Sequence, residues 1–159
     1  MDTSIQNSPL EIDWKFCKLE GIKEDDMLAL FKLRAKVSII NDSPPTAIDL
    51  NGVDKEATHV MGISNDRIIA YCMICPPGVQ REETTISRII VDTTFRGQGI
   101  GDKLVNLSID YIKKNWKSNV VVSAQAYLQV FFRKHNFETI SDEYPLGLVS
   151  HVDMVCQLP

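Results

Sequence analysis

The chain has 159 residues, 44% hydrophobic and 24% charged, a balance that fits one globular domain and excludes disordered or collagen-like chains. Its 17 Lys and Arg against 21 Asp and Glu leave a net charge of −4, which argues against a general nucleic-acid binder with a basic face. Apolar runs such as Val120-Val121-Val122 are far short of a membrane span, and the polar, acidic residues 1–13 are not expected to act as a signal peptide.

Residues 1–10 read as a polar leader to a single domain covering 1–159. Residues 14–19 alternate as a first strand, with Trp14, Phe16 and Lys18 on one side. Residues 23–38 carry a helical pattern at Met27, Leu30, Phe31, Arg34 and Val37. Glu24, Asp25 and Asp26 open that helix and Lys32, Arg34 and Lys36 follow, the order its dipole favours. Asn41-Asp42-Ser43-Pro44-Pro45 stops it, and 48–57 reads as a loop with a short helix. Strands at 58–63 and 68–74 are joined by Ser64-Asn65-Asp66-Arg67, the signature of a hairpin. After the loop opened by Pro76-Pro77-Gly78 comes a strand at 86–91. A helix then runs from Ile100 to about Trp116, with Ile100, Leu104, Leu107 and Tyr111 as its apolar positions. A strand at 119–124, a short helix at 127–135 ended by a left-handed Asn136, and closing strands at 137–140 and 149–158 complete an α/β chain with a mixed sheet.

The cysteines are Cys17, Cys72, Cys75 and Cys156. Cys72 and Cys75 lie in a strand, where residues three apart face opposite sides, and no second pair follows at ligand spacing. They read as reduced, partly buried thiols of a cytoplasmic protein, not as a zinc or redox centre.

Chemistry concentrates between Arg88 and Gly101. The apolar strand Ile89-Ile90-Val91 runs into Arg96-Gly97-Gln98-Gly99-Ile100-Gly101, which opens an amphipathic helix. Free N–H groups at a helix start bind anions, glycines let a bulky phosphate approach the backbone, and Arg96 adds a cation. The expectation is a phosphate or pyrophosphate cradle. The glycine spacing is not that of dinucleotide-binding loops, and no Gly-Lys-Ser/Thr is present for an ATP-type loop.

Arg96-x-x-Gly99-x-Gly101 after an apolar strand resembles the coenzyme A signature of the GNAT superfamily of N-acetyltransferases. Ser123-Ala124-Gln125-Ala126-Tyr127-Leu128-Gln129 with Phe131-Phe132-Arg133-Lys134-His135-Asn136-Phe137 resembles that family's strand end and helix. Leu33-Arg34-Ala35-Lys36-Val37 and His151-Val152-Asp153-Met154 are similar to its ElaA-type branch. The resemblance implies a mostly antiparallel central sheet with flanking helices, two strands of which splay to admit acetyl-CoA as cosubstrate. It implies that backbone groups at Ile89, Ile90 and Val91 pair with the pantetheine arm. Arg96, Gly97, Gln98, Gly99, Ile100 and Gly101 would hold the pyrophosphate, and Gln125 and Phe132 occupy further cofactor positions. The implied reaction is direct attack of an amine, on a small molecule or peptide, upon the thioester. The resemblance calls for neither nucleic acid nor membrane, and it leaves a homodimer open.

The sequence departs from the family on the acceptor side. Phe132 stands where relatives usually carry the Tyr that serves as acid, Pro44-Pro45-Thr46 replaces Cys-Pro-Tyr, and Leu146-Gly147-Leu148 replaces an acidic pair and Gly. Tyr127 and His151 are therefore the candidate catalytic residues, as acid and base. His59 could likewise accept a proton, Glu82 and Glu83 could face an amine and Arg34 could contact an acidic substrate, and each also has a bland reading as a structural, solvated or packing side chain. The alternative to an N-acetyltransferase is a catalytically impaired acyl-CoA-binding sensor or regulatory module.

Overall fold

The computed structural model describes residues 10–40 and 52–158. Most of the leader, the stop at 41–45, Thr46 and the side chain of Val37 lie outside the described residues. The elements are β1 (Asp13–Lys18), α1 (Glu24–Ile40), α2 (Gly52–Glu56), β2 (Thr58–Ser64), β3 (Arg67–Cys75), β4 (Thr84–Val91), α3 (Ile100–Asn115), β5 (Val120–Gln125), α4 (Gln129–Arg133), β6 (Phe137–Thr139), β7 (Tyr144–Leu146) and β8 (Val149–Cys156). The eight strands form one sheet in the order β1-β2-β3-β4-β5-β8-β6, with β7 on β8. Every pairing is antiparallel except β4 with β5. The expected mixed, mostly antiparallel α/β sheet is what the chain builds.

Local chemistry explains the hairpin between β2 and β3. Asn65 and Asp66 have φ of 48° and 60°, both left-handed, as a two-residue turn matched to strand twist requires. Asn136 likewise takes φ of 67° after α4.

Helices cover the two faces of the sheet. On one face α3 packs Ile100, Leu104, Val105, Ile109 and Ile112 against Val60, Ile69, Cys72 and Ile86. The buried stripe of α3 thus runs through Val105, Ser108 and Ile109, while the expected Leu107 and Tyr111 are only half-buried. The centre of the stripe meets β2, β3 and β4, and Tyr111 reaches sideways to stack on Phe16 of the edge strand, ring centroids 5.0 Å apart. On the other face α1 buries Leu30 and Leu33 against Met61, Tyr71, Met73 and Ile90. Leu33 adds to the expected positions. β7 was absent from the expected elements because Tyr144-Pro145-Leu146 is short and contains a proline; it forms by hairpin pairing to β8 through Gly147, φ 66°. The short helix after β5 begins as a 3-10 turn at Ala126–Leu128. Cys72 and Cys75 are fully buried in the two different clusters, on opposite faces, and burial pushes the Cys72 thiol up to about 12. No helix among the described residues is long and apolar enough to cross a membrane.

A buried polar network ties α1 and α2 to the sheet. Arg34, 1% exposed, pairs with the buried Asp54 at 3.1 Å. His59, fully buried, places Nε2 2.8 Å from the Asp54 carbonyl oxygen and Nδ1 2.7 Å from the Tyr71 hydroxyl. A carbonyl only accepts, so Nε2 carries the proton and Nδ1 accepts from Tyr71. His59 is therefore a structural histidine. Desolvation lowers its pKa from the ordinary 6.5, while Arg34 and Lys18 oppose its charge and Asp54 favours it. The unfolded chain then binds more protons than the folded one as pH falls below about 6.5, so acid costs stability in that window. His59→Gln should flatten the dependence of the melting temperature on pH between about 6.5 and 5; an unchanged slope would assign it to other groups.

Candidate active site

The site begins as a fork in the sheet. β4 and β5 pair only at Thr84↔Val120 and Thr85↔Val121. Beyond that, β4 carries a bulge: Tyr71 of β3 stands opposite Ile90 and Met73 opposite Ser87, one extra residue on β4. Arg88 within the bulge has φ of 53°. Bulges bend the strand that contains them, and here the bend separates β4 from β5. The two strands thus leave facing backbone edges that do not pair with each other.

At the end of β4, Asp92 caps a 3-10 turn at Thr93–Phe95 by accepting from the Thr94 N–H at 3.0 Å. The glycine loop follows. Gly97 and Gly99 have φ of 80° and 77°, where side chains are strained, although a Cβ at either would meet nothing within 4 Å. Gly101 is different: its Cβ would make an ordinary contact, 3.6 Å from Phe131. The first two glycines are thus required by conformation. Lys103 makes the first main-chain bond of α3, to the Gly99 carbonyl at 3.1 Å, so the preceding amides precede the helical ladder and carry its positive end. Asp102 in the first turn is engaged by the residues that follow α4, 2.8 Å from His135 Nε2 and 3.4 Å from Lys134 Nζ. The hydrogen bond from His135, then Lys134, holds its carboxyl below the usual range. The exposed Arg96 donates through Nε to the Val91 carbonyl at 3.2 Å, joining the loop to the fork's mouth.

A second cluster lies on the face of β5 and β8 opposite α3. Val120, Val122 and Ala124 pair with Cys156, Met154 and Val152 in the core, so the alternate pairs Ser123↔Asp153 and Gln125↔His151 share the other face. Tyr144 of β7 joins them. Its hydroxyl lies 2.5 Å from Asp153 Oδ1 and also bonds Ser123 Oγ, and its ring stacks on His151 at 6.2 Å. Arg81 donates to Asp153 Oδ2 at 2.9 Å. His151 Nδ1 is 2.9 Å from the Val149 carbonyl, so Nδ1 carries the proton and Nε2 keeps a lone pair in the neutral ring. Burial first, then the bond to Asp153, raises the Tyr144 pKa.

The residues expected at the site do not all gather. Ile89 and Val91 are half-buried along the fork, packed toward α3, while Ile90 is buried toward α1. Gln125 and His151 stand opposite each other. Tyr127 is 71% exposed and makes no hydrogen bond among the described residues. Phe132 is 4% exposed, its ring edge-on to Phe131 and Phe137 in the core. Arg34 is committed to Asp54, while Glu82 is exposed and Glu83 half-buried in the loop before β4. Ser123, Tyr144, Asp153 and Arg81 form a cluster that no local spacing announces.

A family model described as an acetyltransferase (GNAT) domain matches residues 38–158. The ElaA protein of Escherichia coli is 26% identical over 145 residues, covering 90% of this chain and 95% of that one. Its crystal structure superposes with a TM-score of 0.84 over 92% of this chain and all of the other. A protein of Synechocystis is 26% identical over 152 residues, 94% of this chain and 98% of its own. The crystal structure of an acyl-CoA N-acyltransferase from Pseudomonas aeruginosa, 24% identical, shares the fold with a TM-score of 0.85 over 92% of this chain and 99% of the other.

Proposed function

Since the chain belongs to the GNAT acetyltransferase family, in its ElaA-like branch, we propose that it transfers an acetyl group from acetyl-CoA to an amine by direct attack. The observation that carries this reading is the fork of β4 and β5 opening onto the left-handed glycines at the start of α3. The main-chain edges at Ile89, Ile90 and Val91 suit the amide-bearing pantetheine arm. The amides of residues 97–102, the helix dipole and the Arg96 guanidinium suit the pyrophosphate. Acetyl-CoA supplies an activated thioester; the chain's part is to hold it, exclude water and take a proton.

His151 is the residue we assign as base. Its Nδ1–H is fixed on the Val149 carbonyl, which leaves Nε2 to accept the amine's proton. The amine nitrogen bonds to the acetyl carbon, the carbon–sulfur bond breaks, and the electron pair leaves on sulfur. No acid is assigned to the thiolate: Phe132 has no hydroxyl and Tyr127 is out in solvent. A thiol of ordinary pKa near 8.5 makes that departure feasible unassisted.

The test is release of free coenzyme A from acetyl-CoA over a panel of amines, with the acetylated product identified by mass. His151→Ala should lower turnover by about 10²–10⁴ with acetyl-CoA affinity unchanged. Equal turnover would remove His151 as base. Phe132, a core ring where relatives usually carry the acid, favours a second reading: a module that binds acyl-CoA without turning it over. Binding of coenzyme A with no product from any amine would select that reading.

A further inference from the structure

Asp102 is the only acidic residue between Asp92 and Asp110. It stands in the first turn of α3, directly after the amides that precede the helical ladder. A carboxylate there is attracted by the positive end of the helix. A pyrophosphate on the glycine loop is attracted by the same end, so the two anions compete for one source of positive charge. The partners of Asp102 come from across the fork. α3 packs on β2, β3 and β4, whereas His135 and Lys134 follow α4, which packs on β6. Oδ1 of Asp102 lies 2.8 Å from His135 Nε2 and 3.4 Å from Lys134 Nζ. A carboxylate only accepts, so the Nε2–H of His135 donates to it. The ring of His135 is buried and held at a second point on α3, with Nδ1 3.0 Å from Asn106 Oδ1 one turn further along. It also lies 5.2 Å from the ring of Phe131, which packs beside Gly101. His135 thus has a fixed place from which it engages one oxygen of Asp102. The other oxygen, Oδ2, has no partner among the described residues, and the side chain is 42% exposed. The charge is therefore only partly neutralised.

Resting on the reading of this loop as a pyrophosphate cradle, we propose that Asp102 is an internal anion that stabilises the positive end of α3 in the empty protein and lowers its affinity for coenzyme A. His135 is the positioning residue that limits this opposition, by binding the carboxylate on the α4 side. Lys134 adds a cation to the same oxygen. The thioester donor and the released thiol carry the same pyrophosphate, so Asp102 loosens the hold on both. The chain thus gives up some affinity for its cofactor and gains stability while the loop is empty.

Calorimetric titration of the full-length protein with coenzyme A, and melting curves without ligand, test this. Asp102→Asn keeps the size of the side chain and an oxygen acceptor for His135 while removing the charge. Coenzyme A should bind about two- to fivefold tighter at low salt, the usual size of a charge at a helix end. The empty protein should melt about 1–4 °C lower. A side chain that merely packs would not move stability and affinity in opposite directions. The gain in affinity should shrink in about 0.5 M salt, which screens exposed charges. His135→Leu removes the ring's hydrogen bonds and should weaken binding about two- to fivefold. Adding Asp102→Asn to it should restore at least the wild-type affinity, because the cost lies in the carboxylate and not in the lost ring. Overturning results are unchanged or weaker binding in Asp102→Asn, an empty Asp102→Asn protein that melts no lower than the wild type, a gain that salt does not reduce, or a double variant as weak as His135→Leu alone. The Asp102→Asn measurements stand by themselves if His135→Leu fails to fold. Absence of coenzyme A binding in the wild type would instead overturn the reading of the loop as the cradle.

Discussion

Gly99→Glu should abolish binding of coenzyme A, a loss of at least a hundredfold. In the wild type, ligand at a hundred times its dissociation constant adds about 2.7 kcal/mol, a rise in melting temperature of roughly 5–10 °C for a chain of this size. The substitution acts twice. A side chain at φ of 77° costs about 1–3 kcal/mol of backbone strain, and the carboxylate projects into open space at the positive end of α3. Gly99→Asn separates the two, because Asn tolerates the left-handed region and carries no charge. It should keep most of the thermal shift. A normal shift in Gly99→Glu would move the anion site away from this loop.

Asp54→Asn should cost the largest stability of any single polar substitution in the described residues. Arg34 and Asp54 are both buried, and Asp54 also offers its main-chain carbonyl to His59. Neutralising the carboxylate leaves the Arg34 guanidinium out of water without that counter-charge. Removing one partner of a buried pair costs about 3–5 kcal/mol, so the melting temperature should fall by roughly 6–20 °C. Arg34→Met together with Asp54→Leu should recover much of the loss, since apolar groups of similar volume need no pairing. A single variant as stable as the wild type would show that the other interactions of Arg34 suffice to hold its charge.

The strands, the hairpin and the glycine loop were legible in the sequence because each is written locally. Asn65-Asp66 between apolar runs names its own turn, and glycines between a strand and a helix name their own conformation. The register of α3 was harder. A four-three-four pattern through Leu107 and Tyr111 is a real stripe, yet the sheet beneath is wide enough to bury Val105 and Ile109 instead. The Arg34–Asp54 pair joins two helices through side chains twenty positions apart. The Ser123–Tyr144–Asp153 chain brings together three strands, one of them only three residues long. Such clusters exist only once strand order is fixed, and a single sequence does not print strand order. Phe132 shows the converse. Its position was read as a cofactor position, and in the structure its ring also packs into the core.

The fork has a consequence for how this sheet meets other proteins. A sheet normally worries about its two outer margins, where unpaired amides invite another chain to add as a strand. This one has two more margins in its middle, along β4 and β5 beyond Thr85 and Val121. They are protected by shape. The opening starts from zero width at the last shared pair, and α3 closes one side of it against β4. A polypeptide strand needs about 4.8 Å on each flank and room for side chains above and below. A thin, unbranched molecule with its own amides needs much less. The same geometry that leaves the backbone unpaired would suit a narrow ligand better than the strand-by-strand growth that such an edge would otherwise seed.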